Sequence, residues 1–112
     1  MRHINTQELR EKKERNQDFL LLNALPEESF RKEHIPGSEN VPYDDDNLVE
    51  KVENLAGSKE KEIVVYCANE ECSASTKAVE KLDKAGFTNV VEYDGGTESW
   101  KEADYKIEQK AA

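Results

Sequence analysis

Cations are scarce in this sequence. Lys and Arg number 16 against 25 Asp and Glu, leaving a net charge of −9 over 112 residues. Nucleic acids and anionic membrane surfaces are bound through clustered Lys and Arg, so neither is expected as the main partner. An acidic excess of this kind keeps a small domain in solution. Long apolar stretches are missing as well. None approaches the roughly 20 residues of a membrane span, and Met1-Arg2-His3-Ile4-Asn5 lacks an apolar signal segment. The expectation is a soluble, cytoplasmic protein. Cysteine occurs only at positions 67 and 72. In a reducing compartment two such cysteines read as free thiols rather than a structural disulfide. The two histidines, His3 and His34, are too few to build a zinc site with them unless both converge, and no spacing suggests that. Asp44-Asp45-Asp46 is followed by no Gly-containing calcium loop. No metal and no cofactor is expected. The length fits one compact domain with one core.

What the sequence does contain is a set of short apolar runs separated by helical patterns. Thr6 reads as the N-cap of a short charged helix reaching Arg15. Phe19-Leu20-Leu21-Leu22 fits a strand or a helix by periodicity alone; its length and the nearby Pro26 favour a strand. Pro26 to Glu33 reads as one or two helical turns with Pro at an allowed first position. His34-Ile35-Pro36-Gly37-Ser38 must turn, with His34 pinning that turn to backbone. Val41 fits a very short strand. Leu48, Val49, Val52, Leu55 and Ala56 fall at helical spacing, and Gly57 ends that helix; the three aspartates would bring negative charge to its start. Ile63 to Tyr66 reads as a buried strand. Ala74, Ala78, Val79, Leu82 and Ala85 share one face of a further helix, which Gly86 closes. Val90 to Tyr93 is a third strand, Asp94-Gly95-Gly96 a turn, and Thr97 to Lys101 a helix carrying Trp100 as a core or rim aromatic. Tyr105 to Ile107 reads as a last extended piece, with a frayed tail after it. Strands alternating with helices imply a mainly parallel sheet covered on both faces. In such sheets ligands sit beyond the carboxyl ends of the strands.

Cys67 follows the end of the most apolar strand and precedes a helix. The loop Ala68-Asn69-Glu70-Glu71-Cys72-Ser73 could curl its N–H groups around the sulfur, and the helix start would add its positive dipole end; both lower a thiol's pKa toward the reactive thiolate. Ser73 and Ser75 are natural cap residues. The plainer reading of Cys67 is a small buried apolar residue finishing a strand. Cys72 is either an idle loop residue or a resolving thiol. Four residues separate the two cysteines, so a closed loop could bring them within disulfide range.

Taken together, His34-Ile35-Pro36-Gly37-Ser38, Val64-Val65-Tyr66-Cys67, Ala85-Gly86-Phe87 with Val90, and Gly95-Gly96 with Trp100 resemble a single-domain rhodanese. The resemblance covers residues 4–108 as one domain, leaving 109–112 as a frayed tail. It implies an α/β three-layer fold with a central, mainly parallel five-stranded sheet and helices on both faces. It also implies a sulfurtransferase or persulfide carrier. Cys67 would be the nucleophile that accepts a sulfane sulfur, and the amides of residues 68 to 73 would cradle it. The partner implied is a small sulfur donor or a persulfide-carrying protein.

Three departures from the family pattern matter. The fifth position after the cysteine, commonly Arg, is Cys72, and no cation follows before Lys77. The loop is longer than the commonest form, as in phosphatases and arsenate reductases of this fold, but Ser73 stands where those enzymes place an oxyanion-clamping Arg. The first long strand ends in Asn23-Ala24-Leu25 rather than an Asp-x-Arg pair. Glu70 and Glu71 oppose both a thiolate and a dianion such as thiosulfate. Weak thiosulfate turnover is therefore expected, with a persulfide as the better donor. The alternative is a non-catalytic module of the same fold that binds a partner or senses redox state through the Cys67–Cys72 pair.

Overall fold

The three apolar runs form the middle of one sheet. A computed structural model describes residues 2–110 of the chain. Its elements in order are β1 (Arg2–Ile4), α1 (Thr6–Glu14), β2 (Leu20–Asn23), α2 (Glu27–Lys32), β3 (Glu39–Asn40), α3 (Leu48–Ala56), β4 (Ile63–Tyr66), α4 (Ala74–Lys84), β5 (Val90–Tyr93) and α5 (Gly96–Glu102). The strands run in the order β1-β5-β4-β2-β3, and every pairing is parallel. The five-stranded α/β expectation holds.

Alternation along the central strands divides the core into two layers. Leu21, Val64, Tyr66, Val91 and Tyr93 face α1 and α5, where Leu9 and Trp100 pack against them. Leu22, Ile63, Val65 and Val90 face α3 and α4, meeting Leu48, Val52, Ala78, Val79 and Leu82. Cys67 belongs to this second layer. Trp100 is a core residue; its indole N–H donates to the Lys106 carbonyl at 2.8 Å.

Several local readings are corrected. Helix α1 is capped by Asn5 rather than Thr6: Asn5 accepts the Glu8 N–H and Glu8 accepts the Asn5 N–H, a reciprocal capping box. The short third strand is Glu39–Asn40 rather than Val41, whose N–H extends the ladder to the Asn23 carbonyl. Neither Ser73 nor Ser75 caps α4; Ser73 takes the cap position without a side-chain bond. Edge strand β1 was not anticipated. At the other end, Glu108 pairs with His34 in an antiparallel bridge and the Lys110 N–H donates to the Arg31 carbonyl. Glu108 and Lys110 are thus bonded to the body, while Ala111 and Ala112 lie outside the described residues.

The turn after α2 is pinned to the sheet by Tyr66. The Tyr66 hydroxyl accepts the Ile35 N–H at 3.0 Å and meets the Ser38 hydroxyl at 2.8 Å. His34 secures the same turn, its Nδ1 donating to the Phe30 carbonyl at 2.8 Å while its ring stacks on Phe30. Burial pushes the Tyr66 hydroxyl above its ordinary pKa, and burial does the same to Tyr93. The folded state therefore holds these protons when the unfolded chain releases them. The resulting stability is fully present below about pH 10 and falls as pH rises beyond it. Tyr66→Phe is expected to cost about 1–3 kcal/mol by stranding the Ile35 N–H. It should also flatten, without abolishing, the alkaline loss of stability; urea melts between neutral and strongly alkaline pH check both.

Candidate active site

Strand β4 ends at Tyr66, and Cys67 is the first residue past its carboxyl end. The chain then turns through Ala68 to Ser73 and enters α4. Asn69 shapes this turn. Its side-chain oxygen accepts the Glu71 N–H at 3.0 Å and the Cys72 N–H at 3.1 Å, and its own carbonyl also receives the Cys72 N–H. This Asx arrangement uses two of the amides that the sequence offered to a bound sulfur. It also carries Cys72 back over Cys67. Their Cα atoms are 6.4 Å apart and the two sulfurs lie within disulfide-bonding distance.

Cys67 is buried, with 1% of its surface exposed. Its sulfur touches the Cys72 carbonyl at 3.5 Å and the Ser75 hydroxyl at 3.3 Å. Cys72 is partly exposed. The sequence left the exposure of Cys67 open; in the closed loop it is buried, with Cys72 laid against it. Glu70 and Glu71 point to solvent and, with Glu98 and Glu102, line an acidic groove along the loop. Water screens these charges, so they weigh less on the sulfur than buried carboxylates would.

The far side of the loop is held by α5. The Thr97 N–H donates to the Cys67 carbonyl at 3.0 Å and the Glu98 N–H to the Ala68 carbonyl at 2.9 Å. Gly96, at φ +63°, makes this approach possible; a Cβ there would sit 2.5 Å from the Cys67 carbonyl oxygen. Between α2 and α5, beside Ala68 and Asn69, opens a cleft of about 580 Å³ lined also by Leu25, Ser29, Lys32 and Lys101. Its cations come from helices rather than from the loop. Lys101 is paired with Glu33. Lys77, the first cation after the loop, lies instead over the Tyr43 ring at 5.1 Å. The two histidines are engaged elsewhere, His3 with Asp94 and His34 with Phe30.

Two contributors escaped the sequence reading. Gly96 was read only as part of a turn, because its role needs the position of the loop backbone. Glu92 sits within a strand buried at all four positions. Its signal was visible as a lone charge in the run Val90 to Tyr93, but its partners Ser75 and Thr76 become evident only once α4 is docked.

A parallel sheet with a cysteine pair in the loop from the central strand's carboxyl end to a helix defines an α/β protein with a thiol site. The pattern of the rhodanese-like domain matches residues 5–103, and the chain belongs to that family. Among curated proteins, it is 32% identical over 98 residues to the adenylyltransferase and sulfurtransferase UBA4 of Meyerozyma guilliermondii, covering 83% of this chain and 23% of that protein. It is 29% identical over 94 residues to an HTH-type transcriptional regulator of Mycobacterium tuberculosis, covering 84% of this chain and 39% of that one. The chain thus spans well under half the length of these relatives. Among solved structures, a rhodanese-related protein from Thermoplasma volcanium is 30% identical, with a TM-score of 0.76 over 96% of this chain and 98% of that one. Family and fold are consistent with sulfurtransferase-type chemistry. Among the described residues no helix is long and apolar enough to cross a membrane.

Proposed function

We propose that this domain is a persulfide carrier: reduced Cys67 accepts a sulfane sulfur, and Cys72 resolves the product. The observation that carries the reading is the Cys67–Cys72 pair at disulfide distance past the central strand. Loading joins Cys67 sulfur to the sulfane sulfur of a donor persulfide and releases the donor thiol. Resolution follows when Cys72 attacks the inner sulfur of the Cys67 persulfide, forming the Cys67–Cys72 disulfide and expelling hydrogen sulfide. A cellular dithiol then reduces the disulfide for the next turn. The N-terminal end of α4, which follows the loop, favours negative sulfur.

A small thiol persulfide suits the site better than thiosulfate. The loop supplies two acids and no cation, and in the adjoining cleft Lys32 and Lys101 are set against Glu33, Glu98 and Glu102, which leaves no net positive charge for a dianion. Sulfide release from glutathione persulfide is expected to exceed release from thiosulfate by at least about tenfold, in line with the missing charge complement to a dianion. The direct test is intact mass after incubating reduced protein with glutathione persulfide. A gain of one sulfur, or loss of two hydrogens with release of sulfide, supports the carrier; neither change on protein with both thiols reduced, and no gain by Cys72→Ser, ends this reading.

A second reading rests on the 1% exposure of Cys67. A thiol so covered suits a module whose disulfide reports redox state to a partner domain, and a transcriptional regulator is among the proteins this chain resembles. It predicts reversible disulfide formation with no sulfur transfer from any donor.

A further inference from the structure

Among the described residues, Glu92 is the one acid the fold buries, at 4% exposed. Taking a carboxylate out of water is costly unless hydrogen bonds replace the solvent. Two do so here. Glu92 Oε2 accepts from the Ser75 hydroxyl at 2.6 Å and the Thr76 hydroxyl at 2.9 Å. Ser75 is itself buried, and its oxygen lies 3.3 Å from Cys67 Sγ. A hydroxyl carries one proton and two lone pairs. With its proton committed to Glu92, Ser75 offers a lone pair to the Cys67 thiol. Once the Cys67–Cys72 pair is reduced, this arrangement lets the hydrogen bonds run in one direction, from sulfur through oxygen to carboxylate.

We propose that Glu92 is a positioning residue that draws the Cys67 proton through Ser75 while the sulfur attacks its donor. This rests on the reading of Cys67 as a sulfur acceptor and adds how the thiol is activated without a loop cation. In the step, Cys67 sulfur bonds to the donor's sulfane sulfur, and the donor's S–S bond breaks with its electron pair leaving on the donor thiolate. The thiol proton passes to Ser75 Oγ as the Ser75 proton passes to Glu92. Glu92 then returns its proton to solvent, and the donor thiolate takes one up. Around the carboxylate, the His3 ring from β1 and the Asp94 carboxylate from the end of β5 have atoms within 4.8 Å. His3 is held on Asp94 at 2.9 Å. From α4 only the two hydroxyls are seen to bond it.

A carboxylate that merely sat near the sulfur would act in the opposite sense, disfavouring the thiolate at every pH. The test uses this difference in sign. Loading by glutathione persulfide is followed by mass in a Cys72→Ser background, with and without Glu92→Gln, from below to above the ordinary thiol pKa of about 8.5. The donor's own ionisation cancels in the ratio of rates. Near pH 6, Glu92→Gln is expected to slow loading by about tenfold or more, a modest share of what positioned bases supply. The gap should close above about pH 9.5, where the thiolate is already formed. Ser75→Ala should show the same pH-dependent ratio and carries the test if Glu92→Gln fails to fold; Glu92→Asp should restore part of the rate. A ratio constant across pH, or faster loading by Glu92→Gln throughout, would overturn the relay while leaving the carrier reading intact. No loading by the Cys72→Ser reference at any pH would overturn both.

Discussion

Cys72→Ser is expected to convert a protein that releases sulfur into one that holds it. In the wild-type chain the resolving sulfur is tethered, with its Cα 6.4 Å from that of Cys67. A tethered nucleophile acts at an effective concentration far above that of free thiols. Removing it should lower sulfide release per loaded protein by at least about a hundredfold and leave the Cys67 persulfide long-lived. Cys67→Ser removes the atom that forms the new bond and should abolish loading altogether. The two variants thus separate the roles: no sulfur gained in one, sulfur gained and retained in the other. Sulfide electrode traces recorded beside intact mass would show this. Equal release from Cys72→Ser and wild type would mean that an outside thiol does the resolving.

Gly96→Ala is expected to be among the most damaging single changes in the domain. The φ of +63° disfavours any residue with a Cβ, and the added carbon would meet the Cys67 carbonyl oxygen at 2.5 Å and the Ala68 carbonyl carbon at 2.7 Å. Both are backbone atoms, held by the Thr97 and Glu98 amides, so neither yields as a flexible side chain would. Strain and overpacking together should cost about 2–5 kcal/mol. In a domain of this size that corresponds to roughly 10 °C or more in Tm. The loop would move with α5, so sulfur loading should fall in the fraction that remains folded. A loss within about 0.5 kcal/mol, as for an ordinary surface change, would show that Gly96 does not clamp the loop.

The parts of this fold that were readable from sequence are those whose burial is local. Ile63 to Tyr66 and Val90 to Tyr93 are apolar enough to announce central strands, and Leu48, Val52 and Ala56 announce a helix face. Strand β1 was unreadable because Arg2-His3-Ile4 offers one apolar residue; it is a strand because β5 presents an open edge to it. Capping misled for a similar reason. Thr6 and Asn5 are adjacent cap formers, and the choice fell to Asn5 through its reciprocal pairing with Glu8. Ser75, a plausible cap, bonds Glu92 on a strand 17 residues away instead. The position of Cys67 followed from strand-loop-helix order, which left open whether it is buried. That depends on how Asn69 folds the loop and lays Cys72 across it.

The central claim is that Cys67, and not Cys72, receives the incoming sulfur. It is tested by loading fully reduced wild-type protein with glutathione persulfide for a short interval, alkylating it, and cleaving after Glu70 and Glu71, which separates the two cysteines. The account predicts an added sulfur on the peptide ending in Cys67-Ala68-Asn69-Glu70. An added sulfur confined to the Cys72 peptide, or neither an added sulfur nor a Cys67–Cys72 disulfide with sulfide released, would contradict it.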